Sequence, residues 1–244
     1  FMVWLNGREI KKALALKYKN ELCEKYAPTS ANAAISSLNS FFAFMHWQDM
    51  YIKPLKIQRR IYSIKDKELT KAEYERLLTA AKNNKMKRLY LLIQTICSTG
   101  IRVSELKFIT CESVKIGKAI IRCKCKVRTI FLPKELCKML KKYITEQGIK
   151  AGSVFVSKNG NPLDRSYIWK TLKKLCEIAG VLKSKVFPHN FRHLFARTYY
   201  SLQKDIFKLA DILGHSSVNT TRIYTIETGD THRRQIQELG LLMC

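Results

Sequence analysis

The chain has 244 residues, of which 45 are Lys or Arg and 19 are Asp or Glu, so its formal net charge is +26. A hydrophobic fraction of 46% is ordinary for a globular protein and excludes global disorder, and no apolar run approaches the roughly 20 residues that cross a bilayer. A basic surplus of this size favours a polyanionic partner, with nucleic acid the leading class and a membrane disfavoured, while a merely solvated basic surface is the alternative.

Hydrophobic periodicity predicts that residues 1–52 form a small helical domain. Residues 1–5 have the pattern of the end of an apolar helix, and because the chain opens on Phe rather than Met we expect its N-terminus to be incomplete. Two apolar stripes then predict two helices that face a core. Their residues are Ile10, Leu14, Tyr18, Leu22 and Tyr26 in the first stripe, and Ala31, Ile35, Leu38, Phe42 and Met45 in the second.

The periodicity fades over residues 53–68, a stretch rich in lysine and arginine. We predict a basic linker between two domains here, because such a segment can follow a phosphate backbone. Its candidate backbone contacts are Lys53, Lys56, Arg59 and Arg60. A solvated connector is the alternative.

A second domain is predicted over residues 69–244. Thr70 and Glu73 have the spacing of a capping box, and the apolar residues 89–97 suit a buried helix. The further predicted elements, in chain order, are a helix from about residue 101, strands at 114–116, 119–122 and 128–132, a helix at 133–147, a strand at 154–156, helices at 167–179, 189–201, 206–213 and 220–224, and a weak tail helix at 231–244. The predicted fold class is therefore mainly α with a small antiparallel β-sheet.

The cysteine pattern favours a reducing compartment. The eight cysteines include no C-x-x-C pair, so most are predicted to be small buried apolar side chains in a cytoplasmic protein. Cys123 and Cys125 lack companions at zinc-ligand spacing, so no metal site is predicted there. The chain has no phosphate-binding glycine loop, H-E-x-x-H motif or carboxylate cluster, and no cofactor is predicted.

Three short clusters have the residues needed to act on a phosphate. Arg102 opens a predicted helix, where backbone N–H groups already favour an anion. His189 and Arg192 are three residues apart on one helix face, and His215 precedes Tyr224 by nine residues. Arginine contacts phosphate oxygens bidentately, and a tyrosine beside a base or a strong positive charge can act as a nucleophile. The set therefore suits phosphoryl transfer to a tyrosine without a metal.

These clusters occur in the order of a known family pattern. Residues 99–106 read T-G-I-R-V-S-E-L, residues 189–193 read H-N-F-R-H, and L-G-H at 213–215 is followed by Tyr224. On these motifs, residues 69–244 resemble the catalytic domain of the tyrosine recombinases, the phage integrase family. Residues 1–52 resemble the later part of that family's helical core-binding domain, without its earliest helix or helices.

The family pattern also includes a lysine on a β-hairpin. Lys124 is the best match to it and Lys126 is the alternative, because this hairpin is one residue shorter than usual and has Cys125 where glycine is common. Lys126 and Arg128 from the same hairpin complete the predicted contacts to the DNA backbone.

The resemblance implies a site-specific DNA recombinase that cleaves and rejoins DNA through a 3′-phosphotyrosyl intermediate without metal or ATP. Tyr224 is then the nucleophile, Arg102 and Arg192 hold the nonbridging oxygens, and Lys124 protonates the leaving 5′-oxygen.

Two histidines and a glutamate complete the implied site. His189 is the implied general base, His215 the implied hydrogen-bond donor to the phosphate, and Glu105 an orienting residue.

The implied partners are double-stranded DNA and further copies of the chain, a dimer on one DNA site and a tetramer on two. The tail helix is expected to dock on a neighbouring protomer, or else to pack on its own domain. Association with the bacterial nucleoid during action is expected, whereas integration of a mobile genetic element, excision, resolution and inversion all stay open. A type IB topoisomerase and an inactive DNA-binding regulator are the alternative functions.

Overall fold

The computed structural model of the chain describes residues 1–57, 67–123, 126–157, 159–224 and 237–238, with only the backbone described at 123 and 126. It divides into two compact units, Phe1–Arg60 and Ile61–Cys244, which we take in turn. Across the described residues the fold is mainly helical with one small antiparallel sheet, which confirms the predicted fold class.

The first unit is a small helical bundle. Its elements are α1 (Met2–Leu5), α2 (Lys12–Lys25), α3 (Pro28–Phe44) and a 3-10 turn at Gln48–Met50. The core of this unit is formed by Ala15, Leu22, Ala31, Ile35, Leu38, Phe42 and Ile52. Most of these residues come from the two predicted stripes, which explains why helices form here.

The chain just after this bundle is held by two asparagine side chains. Asn39 accepts from the N–H of Ile52 at 2.9 Å and donates to its carbonyl at 2.8 Å, and Asn32 does the same for Leu55 at 2.7 and 2.9 Å. An asparagine amide pairs with a peptide in this way because it carries both a donor and an acceptor. The start of the predicted linker therefore lies against the first unit, whereas residues 58–66 lie outside the described ones.

The second unit surrounds a buried central helix. Its helices are α4 (Lys71–Asn83), α5 (Lys87–Thr99), α6 (Cys111–Ile116), α7 (Lys134–Glu146), α8 (Arg165–Ala179), α9 (Pro188–Gln203), α10 (Ile206–Leu213) and α11 (Val218–Thr221), with 3-10 turns at Val103–Phe108, Lys183–Lys185 and Arg222–Tyr224. Thr70 and Glu73 form the predicted capping box of α4. Helix α5 packs against α4, α7 and α9, so its C-terminal end is fixed in the middle of the unit.

A two-stranded hairpin follows α6. Strand β1 (Lys118–Cys123) pairs antiparallel with β2 (Lys126–Phe131), with Cys123 opposite Lys126. Residues 124 and 125 join the strands and lie outside the described part of the chain. Because side chains alternate between faces, Arg128 shares the inward face with the buried Ile130.

Two predicted strands are wrong. Residues 114–116 belong to helix α6, which Thr110 caps by accepting from the N–H of Ser113. Residues 154–156 form no ladder, and isolated bridges lie at the edges of this segment, between Thr110 and Ser153 and between Val156 and Pro162. Short apolar runs do not distinguish a strand from a buried helix by periodicity alone, and the cap at Thr110 was the missed signal.

The helix expected near residue 101 is the 3-10 turn Val103–Phe108, with Arg102 at its N-cap. The predicted tail helix lies outside the described residues except for Gln237 and Glu238, which are helical.

Candidate active site

Helix α9 carries the H-x-x-R-H motif on one face. Pro188 occupies its first position, where the missing N–H is not needed, and His189, Arg192 and His193 follow at helical spacing. Arg192 is only 1% exposed. A charge buried to this extent needs compensating partners, and two other helices supply them.

The C-terminal ends of α5 and α10 compensate the charge of Arg192. Its guanidinium donates to the carbonyl oxygens of Gly100 and Leu213, the latter at 2.6 Å. Both helices end on a glycine with φ of +64°, and their last carbonyls lie at the negative ends of the helix dipoles. Burial, aided by the charge of Arg102, lowers the pKa of Arg192 to about 10, so Arg192 stays protonated at neutral pH.

Arg102 and Glu105 form a second charged pair directly after α5. Oε1 of Glu105 lies 3.0 Å from Nη1 of Arg102, and Oε2 accepts from the Arg102 backbone N–H at 2.9 Å. Burial raises the pKa of Glu105, but the hydrogen bond from Arg102 and the charge of Arg128 outweigh it, so the pKa is lowered. The Arg102 side chain is 40% exposed, which leaves part of its guanidinium open to a ligand.

His215 is held through both ring nitrogens. Nη2 of Arg192 lies 3.1 Å from Nε2, and Oγ1 of Thr221 lies 2.9 Å from Nδ1. A guanidinium can only donate, so Nε2 accepts and Nδ1 carries the proton that it donates to Thr221. Burial and the neighbouring arginines lower the pKa of His215 to about 4, which agrees with a neutral ring.

Tyr224 is buried beside these groups, with only 3% of its surface exposed. Its ring packs edge-on against His193 at 4.8 Å between centroids and nearly parallel to His215 at 6.1 Å. Burial raises the pKa of the phenol, and the charge of Arg192 and a hydrogen bond from it only partly offset this, so the pKa is raised overall. The phenol therefore lies in the positive field of the arginines.

The ring of His193 lies between those of His189 and Tyr224. Its ring lies 4.5 Å from that of His189, so the row of ring contacts runs from His189 through His193 to Tyr224. Burial, with repulsion from His189 and Arg192, lowers the pKa of His193 to about 4. Burial also lowers the pKa of His189. Both rings are therefore neutral at pH 7.

An open cavity of about 380 Å³ lies in front of the arginines. Arg102, His189 and Arg192 line it, and so do Arg165 and Trp169 from α8. The last two residues belong to none of the sequence motifs, and the signal for them is the exposed basic face of α8. The cavity joins an anion-binding wall to an exposed aromatic ring, which suits a phosphate attached to a larger ligand.

The structure brings six of the predicted residues together: Arg102, Glu105, His189, Arg192, His215 and Tyr224. The other predicted residues are placed differently. Lys124, Arg59 and Arg60 lie outside the described residues, as does the side chain of Lys126. Lys53 and Lys56 are exposed on the first unit.

Arg128 does not fit its predicted role as a contact to the DNA backbone. Its side chain is only 14% exposed and lies 2.6 Å from the Glu105 carboxylate. It also donates to the carbonyl oxygen of Ile212. The alternation of β2 turns it toward the interior, where these two acceptors occupy its guanidinium.

Two further observations concern the described residues alone. They contain no group of three or more His, Cys, Asp or Glu side chains arranged to hold a metal ion. None of their helices combines the length and the apolar character needed to span a bilayer.

Sequence comparisons identify the family. The model of the phage integrase family matches residues 67–229. The chain is 37% identical to tyrosine recombinase XerH of Campylobacter jejuni over 172 residues, covering 64% of this chain and 47% of that protein, so it spans about half the length of this relative. It is 30% identical to tyrosine recombinase XerA of Pyrococcus horikoshii over 236 residues, covering 93% of this chain and 80% of that protein.

Solved structures have the same fold. The crystal structure of XerA recombinase matches with a TM-score of 0.60 and 27% identity, over 96% of this chain and 85% of that one. The Tn1549 transposon integrase in complex with transposon right end DNA matches with a TM-score of 0.73 and 20% identity, over 95% and 86% of the two chains. The chain therefore belongs to the phage integrase family and is an enzyme of the tyrosine recombinase class.

Proposed function

We propose that the protein recombines double-stranded DNA at specific sites by cleaving and rejoining strands through a bond between Tyr224 and a 3′-phosphate. The observation that carries this proposal is the position of the Tyr224 phenol beside the positive charges of Arg192 and Arg102, which oppose the effect of burial on its pKa. A phenol needs such a field or a base to act as a nucleophile near neutral pH. Relatives solved with DNA, such as XerH bound to its difH substrate, support DNA as the substrate.

Arg102 and Arg192 are proposed to bind the nonbridging oxygens of the scissile phosphate. Both line the same cavity, and the guanidinium of Arg192 is held by two helix ends before any ligand arrives. Donors fixed in advance stabilise charge that develops in a transition state without a cost of reorganisation. Nε of Arg192 is buried without a hydrogen-bond partner in the described residues, so it is available to the phosphate.

Proton transfer is assigned to His189 and to a hairpin lysine. His189 is the proposed general base, because it lines the cavity and burial keeps its ring neutral. His193 packs between His189 and Tyr224 and so holds the two rings in place. Lys124, or Lys126 in its place, is the proposed general acid for the 5′-oxygen.

His215 must change its hydrogen bonds to donate to the phosphate. In the described arrangement its Nε2 accepts from Arg192. We propose that the phosphate takes over this N–H group of Arg192 and that the ring then carries its proton on Nε2. The hydroxyl of Thr221 can accept from or donate to Nδ1, so it supports either tautomer.

The proposed reaction requires neither metal nor ATP. The arginines supply the positive charge, and exchanging a phosphodiester for a phosphotyrosyl bond keeps the energy of the ester for religation. Four copies on two DNA sites, with two on each site, are the proposed assembly. The net charge of +26 supports binding of the chain to DNA.

The test is a covalent adduct on a nicked duplex taken from the flanks of the gene. The wild-type protein should form the adduct in EDTA, and Tyr224→Phe should bind the duplex equally well but form none. Tyr199→Phe is the matched control, because Tyr199 packs against the same cluster as Tyr224. An adduct that persists in Tyr224→Phe would assign the nucleophile to another residue.

A two-site assay then separates the proposed recombinase from a topoisomerase. Exchange of flanking DNA between two sites is expected. Relaxation of supercoils without any exchange would contradict recombination while leaving the cleavage chemistry intact.

A further inference from the structure

Arg128 on β2 joins two parts of the site that are distant in sequence. Its Nη2 lies 2.6 Å from Oε2 of Glu105, and its Nη1 donates to the carbonyl of Ile212. Glu105 uses its other oxygen, Oε1, to hold Arg102 at 3.0 Å. One guanidinium therefore connects the carboxylate that orients Arg102 with the C-terminal end of α10.

The turn after α10 is built around this side chain. Gly214 caps α10 with φ of +64°, and a Cβ added to it would lie 2.5 Å from Cδ and 2.9 Å from Nε of Arg128. The absence of a side chain at Gly214 is thus what lets Arg128 pass. His215 is the next residue, and the carbonyl of Gly214 lies 3.5 Å from Nη2 of Arg102.

We propose that Arg128 is a positioning residue, which orients Arg102 through Glu105 and His215 through the turn at Gly214 without itself contacting DNA. This inference rests on the proposed cleavage reaction. It replaces the role of backbone contact that the sequence suggested for this arginine.

The contacts of Arg128 explain why it acts through its neighbours. Its side chain is 14% exposed, compared with 40% for Arg102, and both ends of its guanidinium have an acceptor. By pairing with Oε2 of Glu105, Arg128 leaves only Oε1 for the Arg102 side chain, whose Nη2 faces the Gly214 carbonyl at 3.5 Å. A lysine presents its donors from one nitrogen rather than from the two ends of a planar fork, so it does not reproduce both contacts in the same geometry.

The experiment compares Arg128→Lys with wild type on the nicked duplex. Arg128→Lys keeps a cation opposite Glu105, and unfolding curves should show that it folds. Adduct formation should fall about 10- to 100-fold, which is the usual effect of misplacing a catalytic group. Affinity for DNA and its dependence on salt should not change. A fall in DNA affinity as large as the fall in adduct formation would instead assign Arg128 a direct phosphate contact and overturn the proposal.

Arg122→Lys is the matched control. Arg122 lies on the neighbouring strand, on the exposed face of the same hairpin, so this change makes the same substitution away from Glu105. It should leave adduct formation unchanged. A defect equal to that of Arg128→Lys would show that any such change in the hairpin impairs the reaction and would overturn the proposal.

A double-mutant cycle tests the route through Arg102. If Arg128 acts by orienting Arg102, then Arg128→Lys should add little to the defect of Arg102→Lys. Additive defects in adduct formation would contradict this route. If Arg128 only stabilised the fold, Arg128→Lys would lower the stability of the wild-type and the Arg102→Lys proteins equally.

A duplex with a 5′-thiol leaving group separates the role of Arg128 from that of the hairpin lysine. A thiol leaves without a proton, so it should rescue Lys124→Ala but not Arg128→Lys. Rescue of Arg128→Lys would contradict the proposal, because it would place the action of Arg128 on the hairpin lysine. If the wild-type protein forms no adduct, the proposed function fails; if it does and Arg128→Lys matches it, only this inference fails.

Discussion

At the scale of single residues, the two arginines of the cavity differ in burial although their proposed roles are alike. Arg102 is partly exposed and has one carboxylate partner, whereas Arg192 is buried and donates hydrogen bonds to the carbonyls at two helix ends. We therefore expect Arg102→Lys to lose most adduct formation with little effect on stability. Arg192→Lys should lose both adduct formation and stability, since a lysine leaves a buried carbonyl without its hydrogen-bond partner. Adduct yield and thermal unfolding measure the two effects separately, and equal loss of stability in both variants would contradict this explanation.

The buried histidines predict how stability depends on pH. The pKa of His193 is lowered to about 4 in the folded protein, against about 6.5 for an unperturbed imidazole. As the pH falls below about 6.5 the unfolded chain takes up a proton that the folded chain does not, so stability falls until about pH 4. Above about pH 6.5 His193 is neutral in both the folded and the unfolded chain, so it no longer affects how stability depends on pH.

His193→Phe tests this prediction and keeps the ring contacts with His189 and Tyr224. Urea unfolding at pH 7 and pH 5, followed by the fluorescence of Trp169 after the other two tryptophans are changed to Phe, should show a smaller loss in the variant than in the wild type. Equal losses would contradict a neutral His193 in the folded state.

At the scale of elements, the ends of helices determine the geometry of the site. Helices α8 and α10 both end on a glycine, with φ of +60° at Gly180 and +64° at Gly214. An added Cβ at Gly180 meets open space, whereas at Gly214 it overlaps Arg128. A comparison of the two glycines thus separates the strain of a left-handed backbone from the overlap of a new Cβ with Arg128.

Gly180→Ala should lower the free energy of unfolding by about 1 kcal/mol, the cost of a left-handed alanine. Gly214→Ala should cost about 2–3 kcal/mol, because overpacking adds to that strain, and it alone should impair adduct formation. Equal costs in urea unfolding would show that Arg128 yields freely to the new methyl group.

At the scale of the whole molecule, the charge predicts strong salt dependence of DNA binding. Each phosphate that a lysine or arginine neutralises releases a counterion, and we expect a slope of log affinity against log salt of about −5 or steeper. The combined change Lys53→Gln and Lys56→Gln should reduce the magnitude of that slope by about two if both lysines contact phosphates. A flat plot for the wild type would contradict binding along the DNA backbone.

The sequence alone determined much of this protein. The i, i+3 and i+4 spacing of His189, Arg192 and His193, the capping box at Thr70 and the apolar stripes of the first unit are local signals, and the helices that they predict are present. Order and spacing of the motifs were also sufficient to identify the family. Such features depend on neighbours a few residues apart, so no knowledge of the packing is needed to read them.

The tertiary structure decided the partners of these residues. Arg128 reaches Glu105 across 23 positions and Ile212 across 84, Arg192 reaches Gly100 across 92, and the tautomer of His215 follows from a contact with Arg192. Arg165 and Trp169 likewise reach the cavity only because α8 packs beside it. These contacts depend on how helices and the hairpin pack, and spacing along the chain carries no information about which donor meets which acceptor across a core.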